Sequence, residues 1–330
     1  IKVGVIEIKK IRKKTNHKLR IKCILLLLIF IVSLTFTFNN LKFNISNEEF
    51  LRFLLSQDNP NIEYKLPKVN LFVKIYNFLS NIDINNPFTM VKNNYEYLDN
   101  NVYNSSDNVE VVNNSEYIKD PYPNKKIDNP VVYIYNTHQL EEYKKENTAS
   151  YNITPNVMMA SYILREKLNN KGIPALVEEN NVSEILKMNN WNYASSYKVT
   201  KMLMEDAKEK NPSLTYYIDL HRDSVGRKIS TTTINEKDYA RVLFIVGLEN
   251  PNYKENLEFT NKIQTDLETN YPGLSRGIYK KQGKGVNGIY NQDFSGNTIL
   301  IEVGGSENTI QEVYNTLDII VSILANYIGG

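Results

Sequence analysis

The sequence predicts an α/β domain over residues 131–330. It is a single mostly parallel sheet with helices on both faces, preceded by an N-terminal transmembrane anchor and a linker. Three observations predict it. Apolar runs of strand length alternate with stretches of helical spacing, the pattern of a layered α/β domain. The helical stretches begin and end on capping residues and breakers. Three of the apolar runs finish at His138, His221 and Glu302, and open α/β sheets gather their ligands at the carboxyl ends of strands.

The N-terminus comes first. Residues 1–22 carry nine Lys or Arg against one Glu, although the whole 330-residue chain has a net charge of only +2. Clustered cations suit nucleic acid or a membrane surface. The context decides for membrane, because residues 23–38 follow with no charge at all. That run is slightly short of the ~20 residues of a membrane span and long for the roughly 7–15-residue core of a cleaved signal. No small-residue cleavage site follows it; the exit reads Phe36-Thr37-Phe38-Asn39-Asn40. The expectation is an uncleaved single-pass anchor at 23–38. The basic tail 1–22 is then cytoplasmic and everything after 38 extracytoplasmic, with no nucleic-acid partner. The sole cysteine, Cys23, sits at the membrane boundary. The exported part therefore has no disulfide, and any metal ligands in it are His, Glu or Asp.

Residues 39–90 hold two amphipathic patches, 50–55 and 69–79, read as short juxtamembrane helices that pack locally or meet a partner. Residues 91–130 are dominated by Asn, Asp, Ser and Tyr with few aliphatics, the composition of a linker that is at least partly disordered. The turn signal Asn129-Pro130 closes it.

The compact domain then alternates. A strand at 131–137 leads through a loop to a helix near 155–170, with Thr154 as N-cap, Pro155 at the first helical position and Gly172 past the end. Strand 173–178 precedes a helix at about 191–210 that stops before Asn211-Pro212. Strand 214–220 follows, then strand 241–247, and a helix that Pro251 opens and that runs to about 269. A short strand is expected around Gly277-Ile278-Tyr279. Strand 298–303 leads to a helix from about 308 to 327, capped by Asn308 or Thr309. There is no internal repeat.

The chemistry collects at three strand ends. His138 and Glu141 form His-x-x-Glu, and an i, i+3 pair in a loop leaving a strand can fold back on one point. With His221 they give two imidazoles and a carboxylate, which leave one position open on a tetrahedral zinc. The alternative is a pair of structural histidines bonded to backbone carbonyls. Glu142 competes with Glu141 for the ligand position. Asp219 shares a strand face with His221 and suits the carboxylate that holds a ligating imidazole. Arg222 either binds a substrate carboxylate bidentately or pairs with Asp223. Glu302 is the only charge in its strand. It is either a general base that moves protons for zinc chemistry or a partner for the following helix. Asn291 and Asp293 lie just upstream and can supply polar groups to the site. Gly283-x-Gly285-x-x-Gly288 imitates a dinucleotide fingerprint, but it neither follows a long strand nor opens a helix, so it reads as a flexible substrate loop.

These motifs resemble the stage II sporulation protein P family. The resemblance rests on Asn136-Thr137-His138-Gln139-Leu140-Glu141-x-Tyr143, on Asp219-Leu220-His221-Arg222-Asp223, and on Asn291-Gln292-Asp293-x-Ser295-x-Asn297 through Glu302-Val303-Gly304-Gly305 to Asn308-Thr309. It covers about 131–328, and the basic N-terminus and single anchor match as well. The family often has His where Asn136 stands and Pro where Gly296 stands; the first departure implies that Asn136 is not an essential ligand. The resemblance implies an amidase-like fold and a zinc-dependent peptidoglycan hydrolase of the N-acetylmuramoyl-L-alanine amidase kind, with endopeptidase activity on peptide cross-links. It places the protein in the mother-cell membrane at the sporulation septum, acting in forespore engulfment with stage II sporulation proteins D and M. It makes His138, Glu141 and His221 the zinc ligands and Glu302 the catalytic residue. Two other readings stay open: a zinc peptidase of the carboxypeptidase type, and a non-catalytic wall-binding scaffold.

Overall fold

The computed structural model describes residues 17–40, 46–59, 61–62, 115–123, 126–148 and 151–328. The start of the basic tail, the second amphipathic patch at 69–79 and most of the expected linker lie outside the described residues. The chain divides into two units, Ile1–Phe43 and Asn44–Gly330. In the first, α1 (His17–Asn40) is a 24-residue helix. Its described side chains run over 21–33, and the apolar ones are solvent-exposed; Leu26 is 66% and Val32 64% exposed. Among the described residues no helix is long and apolar enough to cross a membrane.

The second unit starts well before residue 131, where the sequence reading places the compact domain. Helix α2 (Asn47–Asp58) opens on a Ser46–Glu49 capping box and buries Phe50, Leu51, Phe53, Leu54 and Leu55. This apolar face lies against α3 (Val157–Asn170). Polar contacts fix the far end: Lys167 Nζ donates to Asp58 at 3.1 Å, and Tyr314 also bonds Asp58. Residues 115–123 are likewise pinned, although the composition reads as linker. Arg165 donates through both terminal nitrogens to Asp120, and Ser115 Oγ donates to the Leu140 carbonyl at 2.9 Å. Two specific anchors outweigh a polar composition here.

The central sheet has six strands in the order β4-β1-β5-β10-β8-β9. They are β1 (Val132–Tyr135), β4 (Ala175–Val177), β5 (Tyr216–Asp223), β8 (Val242–Gly247), β9 (Ser275–Lys281) and β10 (Thr298–Gly305). Every neighbouring pair is parallel except β10 and β8. The sheet is thus mostly parallel, as the alternation predicts. Alternation of side chains assigns the faces. Tyr133, Tyr135 and Tyr217 pack with Met204 and Ala207 of α5 (Ser196–Lys210). On the other face, Tyr216 meets Phe259 of α7 (Tyr253–Asn270). Helices therefore cover both faces. A short helix, α6 (Arg227–Ser230), follows β5, and helix α8 (Ile310–Leu324) packs against α3 and α7.

Some elements depart from expectation. Helix α3 is capped by Asn156, not Thr154. The Asn156 side chain accepts from the amides of Met158 and Met159, while the Pro155 carbonyl is taken by the Tyr143 amide. The expected helix at 191–210 begins at Ser196, after a 3₁₀ turn at Tyr193–Ser195. A separate short helix, α4 (Val182–Met188), precedes it. Seven residues that bury only Val182 and Leu186 give too little periodicity to be read. Two hairpins were also unread: β2 (Glu146–Thr148) with β3 (Tyr151–Ile153), and β6 (Thr231–Ile234) with β7 (Lys237–Ala240). The second turns through Asn235 and Glu236, both at positive φ. That is the two-residue hairpin geometry, but with Glu where Gly is the usual signal.

Candidate metal centre and active site

Past β1 the chain makes a tight turn in which the Glu141 amide donates to the His138 carbonyl at 3.1 Å. The turn folds the i, i+3 pair together and leaves His138 Nδ1 3.4 Å from Glu141 Oε1. Next to β1, β5 carries Asp219 and His221 on the same face. The strand runs on to Asp223, so His221 stands inside it rather than just past its end. His221 Nδ1 lies 3.3 Å from Glu141 Oε2. One ligand atom each from His138, Glu141 and His221 falls within 4.8 Å of the others. The two imidazoles stand at 90° with centroids 5.2 Å apart. A tetrahedral zinc with bonds of about 2.0–2.1 Å sets its ligand atoms roughly 3.3–3.4 Å apart. Each imidazole nitrogen stands at about that distance from one Glu141 oxygen, His138 from Oε1 and His221 from Oε2, and the donor set is one that zinc takes. The residues present fit the ion.

The surroundings hold this geometry. The Arg222 amide donates to Glu141 Oε2 at 3.1 Å. Asp219 Oδ1 sits 2.9 Å from His221 Nε2, close in distance but out of line for a full hydrogen bond. Asp219 is fixed in turn by the amide of Thr137 at 3.0 Å and its hydroxyl at 2.7 Å. Asp219 is thus the carboxylate behind the imidazole, a role that typically matters about 10–100-fold in metal affinity. Asp219→Asn is expected to weaken zinc binding by that order without unfolding the protein. Competition with a zinc chelator measures it; unchanged affinity would remove Asp219 from the site.

The charges are set by proximity. Burial pushes the Glu141 carboxyl up, but His221 and His138 outweigh it and hold the group well below the usual range. Burial depresses His221, yet Asp219 and Glu141 raise it well above an ordinary imidazole. Glu302 is different. In β10 it pairs in register with His221 on β5, so the two side chains share a face on strands ~4.8 Å apart. Burial raises its carboxyl to about 7, with Glu141, Asp223 and Asp219 adding to the rise against the cation of His221. Glu302 Oε2 is buried with no hydrogen-bond partner among the described residues. The same carboxyl lines a cavity of about 490 Å³ together with His138, Glu141 and His221. A carboxyl tuned to neutrality in such a place is arranged to take and give protons.

Four further sequence candidates lie off the cavity wall. Arg222 is buried and turned to backbone, with Nε donating to the Glu142 carbonyl at 2.9 Å and Nη1 to the Asp223 carbonyl at 3.3 Å. It does not pair with the Asp223 carboxylate, which is taken by Arg276 at 2.7 Å. Glu142 bridges Asn156 through its backbone. Asn291 donates to Thr200 Oγ1 and to the Tyr197 carbonyl, both at 2.9 Å; it braces α5 behind the site. Asp293 pairs with Lys201 at 2.5 Å. Asn136 is buried and bonded to the Leu220 carbonyl and Ser161, a structural role.

Other residues of the site were not read from the sequence. Tyr193 stacks on His138 at 4.8 Å and Tyr197 meets it edge-on at 5.8 Å. They stand four apart, the spacing of one helix face, but a chain with 23 tyrosines hides such a pair. Tyr290 and Arg276 also line the cavity.

Two imidazoles and a carboxylate around one point, with an unpaired carboxyl one strand away, define an α/β protein with a candidate metallohydrolase centre. The chain belongs to the stage II sporulation protein P (SpoIIP) family, whose model matches residues 51–325. It is 36% identical over 201 residues to stage II sporulation protein P of Bacillus subtilis (strain 168). The match takes in 59% of this chain and 50% of the relative, so the chain spans about half the length of that curated protein. Among solved structures, the CwlD amidase from Clostridioides difficile, determined in complex with the GerS lipoprotein, is similar at a TM-score of 0.38 and 14% identity. That match covers 60% of this chain and 95% of the other. Cwp6 from Clostridium difficile is similar at 0.35 and 11%, over 60% of this chain and 29% of the other.

Proposed function

We propose that this protein is a membrane-anchored, zinc-dependent peptidoglycan hydrolase of the sporulating cell. The bond cleaved is the amide between the lactyl group of N-acetylmuramic acid and L-alanine, with peptide cross-links as a second substrate. One observation carries the reading. His138, Glu141 and His221 converge on a single point, and Glu302, unpaired and near neutrality, lines the same cavity. A zinc ion held by these three residues supplies Lewis-acid polarisation of the scissile carbonyl and of water. Glu302 accepts the proton of the attacking water and returns it to the leaving amine. Arg222, through its amide, keeps Glu141 turned toward the metal. Thr137 and Asp219 keep His221 in place.

In this reading the charge-free run 23–38 anchors the protein, with the basic tail on the cytoplasmic side. Membership of the family supports a role in sporulation; in this reading the protein acts in engulfment, with stage II sporulation proteins D and M as proposed partners. Digestion of purified peptidoglycan tests the chemistry. Free stem peptides that begin with L-alanine are the expected product. Shortened or merely uncross-linked peptides point instead to a peptidase. Binding to the wall with no soluble product would sink the hydrolase reading in favour of a scaffold.

A further inference from the structure

The cavity that holds the metal ligands has a second, oppositely charged end. It is walled by the edge strand β9, which contributes Arg276, Tyr279 and Lys281. The Arg276 side chain is only 8% exposed. Its guanidinium carries five donors in a fixed fork, yet among the described residues it makes one hydrogen bond, from Nη1 to Asp223 Oδ2 at 2.7 Å. Asp223 is the last residue of β5, two past His221, so this single bond ties the arginine to the strand that carries a metal ligand. The remaining donors border the cavity. None of its unmatched donors is among the fully buried atoms, so they are open to a group that enters the cavity. Lys281, on the same side of the β9 pleat as Tyr279 by its alternation, adds a second cation to that wall and lies 5.6 Å from the Tyr279 ring centroid.

From these placements we infer that Arg276, assisted by Lys281, binds a carboxylate of the substrate on the peptide side of the scissile bond. The inference rests on the reading of the site as a peptidoglycan amidase and sets the direction in which substrate lies there. Of the other lining residues, Glu141 and Glu302 are carboxylates that repel an anion, and Asp223 is already the partner of Arg276. Away from the metal ligands, the favourable place for a carboxylate is beside the two cations of β9, Arg276 and Lys281. The edge of the guanidinium left open by Asp223 matches a carboxylate bidentately, a geometry that lysine lacks. The peptide then runs from the metal ligands across β10 and β8 toward β9. The sugar is left on the side of His138 and Tyr193, where the half-exposed Tyr193 ring offers an apolar face.

Binding is the measurement, because it stays readable whether or not the amide is cut. Two dipeptides are titrated into the zinc-supplied full chain: L-alanyl-D-glutamate, with both carboxylates free, and its α,γ-diamide, the carboxamide with no carboxylate. Neither contains the lactyl amide. Wild type is expected to bind the carboxylate at least tenfold tighter than the carboxamide. Arg276→Gln is expected to erase that preference, Arg276→Lys to restore part of it, and Lys281→Gln to weaken it several-fold. Zinc content and thermal midpoint of each variant identify any that fails to fold; Lys281→Gln, at a partly exposed position, decides if Arg276→Gln does. Equal affinity of wild type for the two ligands, or no binding of either, overturns the inference. So does a preference that survives in folded Arg276→Gln. Carboxylate preference without release of stem peptides from peptidoglycan would instead reject the amidase reading and leave the anion site standing.

Discussion

Glu302→Gln is expected to keep about one zinc per chain and to lose stem-peptide release by about 10²–10⁴-fold, the usual contribution of a positioned proton-transfer group. The change is nearly isosteric, so it isolates proton transfer from packing. Glu302 is outside the cluster of His138, Glu141 and His221, and its Oε2 has no hydrogen bond to lose among the described residues. An amide in its place cannot accept a proton from water at neutral pH. Metal analysis beside a timed peptidoglycan digest checks both halves. Normal release by the variant rejects Glu302 as the proton carrier; loss of zinc along with activity makes it a ligand instead.

His221→Ala is expected to lose zinc and activity together, with a lowered thermal midpoint. The imidazole is buried between two carboxylates, 2.9 Å from Asp219 and 3.3 Å from Glu141. Removing it deletes a ligand and leaves like charges facing each other without their shared cation, a change of the strongly destabilising kind. His138→Ala separates the two effects. His138 is only partly buried, with 25% of its side chain exposed, so its loss is expected to abolish zinc binding with a smaller thermal shift. Elemental analysis and thermal melts of the pair, with and without added zinc, read the difference. Full zinc content in either variant breaks the three-ligand assignment.

The parts of this site that were legible in the sequence are those fixed by local rules. His138 and Glu141 lie three apart in one turn, and His221 and Asp219 lie two apart on one strand. Both relations follow from backbone geometry alone. The strands that carry them are dense apolar runs, so their existence was readable too. What was not legible depends on which distant groups meet. Arg222 reads as a substrate clamp or a partner of Asp223, but its side chain reaches the Glu142 carbonyl from β5, a contact that exists only once β1 and β5 are paired. Arg276 gave no signal because its meaning comes from Asp223, 53 positions away. Residues 115–123 read as solvated linker because composition reports averages, whereas Asp120 meeting Arg165 is one specific pair. Short elements such as α4 and the β6–β7 hairpin fall below the length at which periodicity can be counted.

The place of β10 sets a timetable for the molecule. Glu302 rides on β10, the last strand in sequence among the described residues, and that strand slots between β5 and β8 in the middle of the sheet rather than onto an edge. A growing polypeptide has His138, Glu141 and His221 before it has Glu302. Until residues 298–305 are made and inserted, β5 lacks one neighbour and the cavity lacks a wall. The pocket is therefore completed in one late step of folding, not progressively. A chain cut short before β10 carries the cluster of two histidines and Glu141 without the carboxyl that stands beside it.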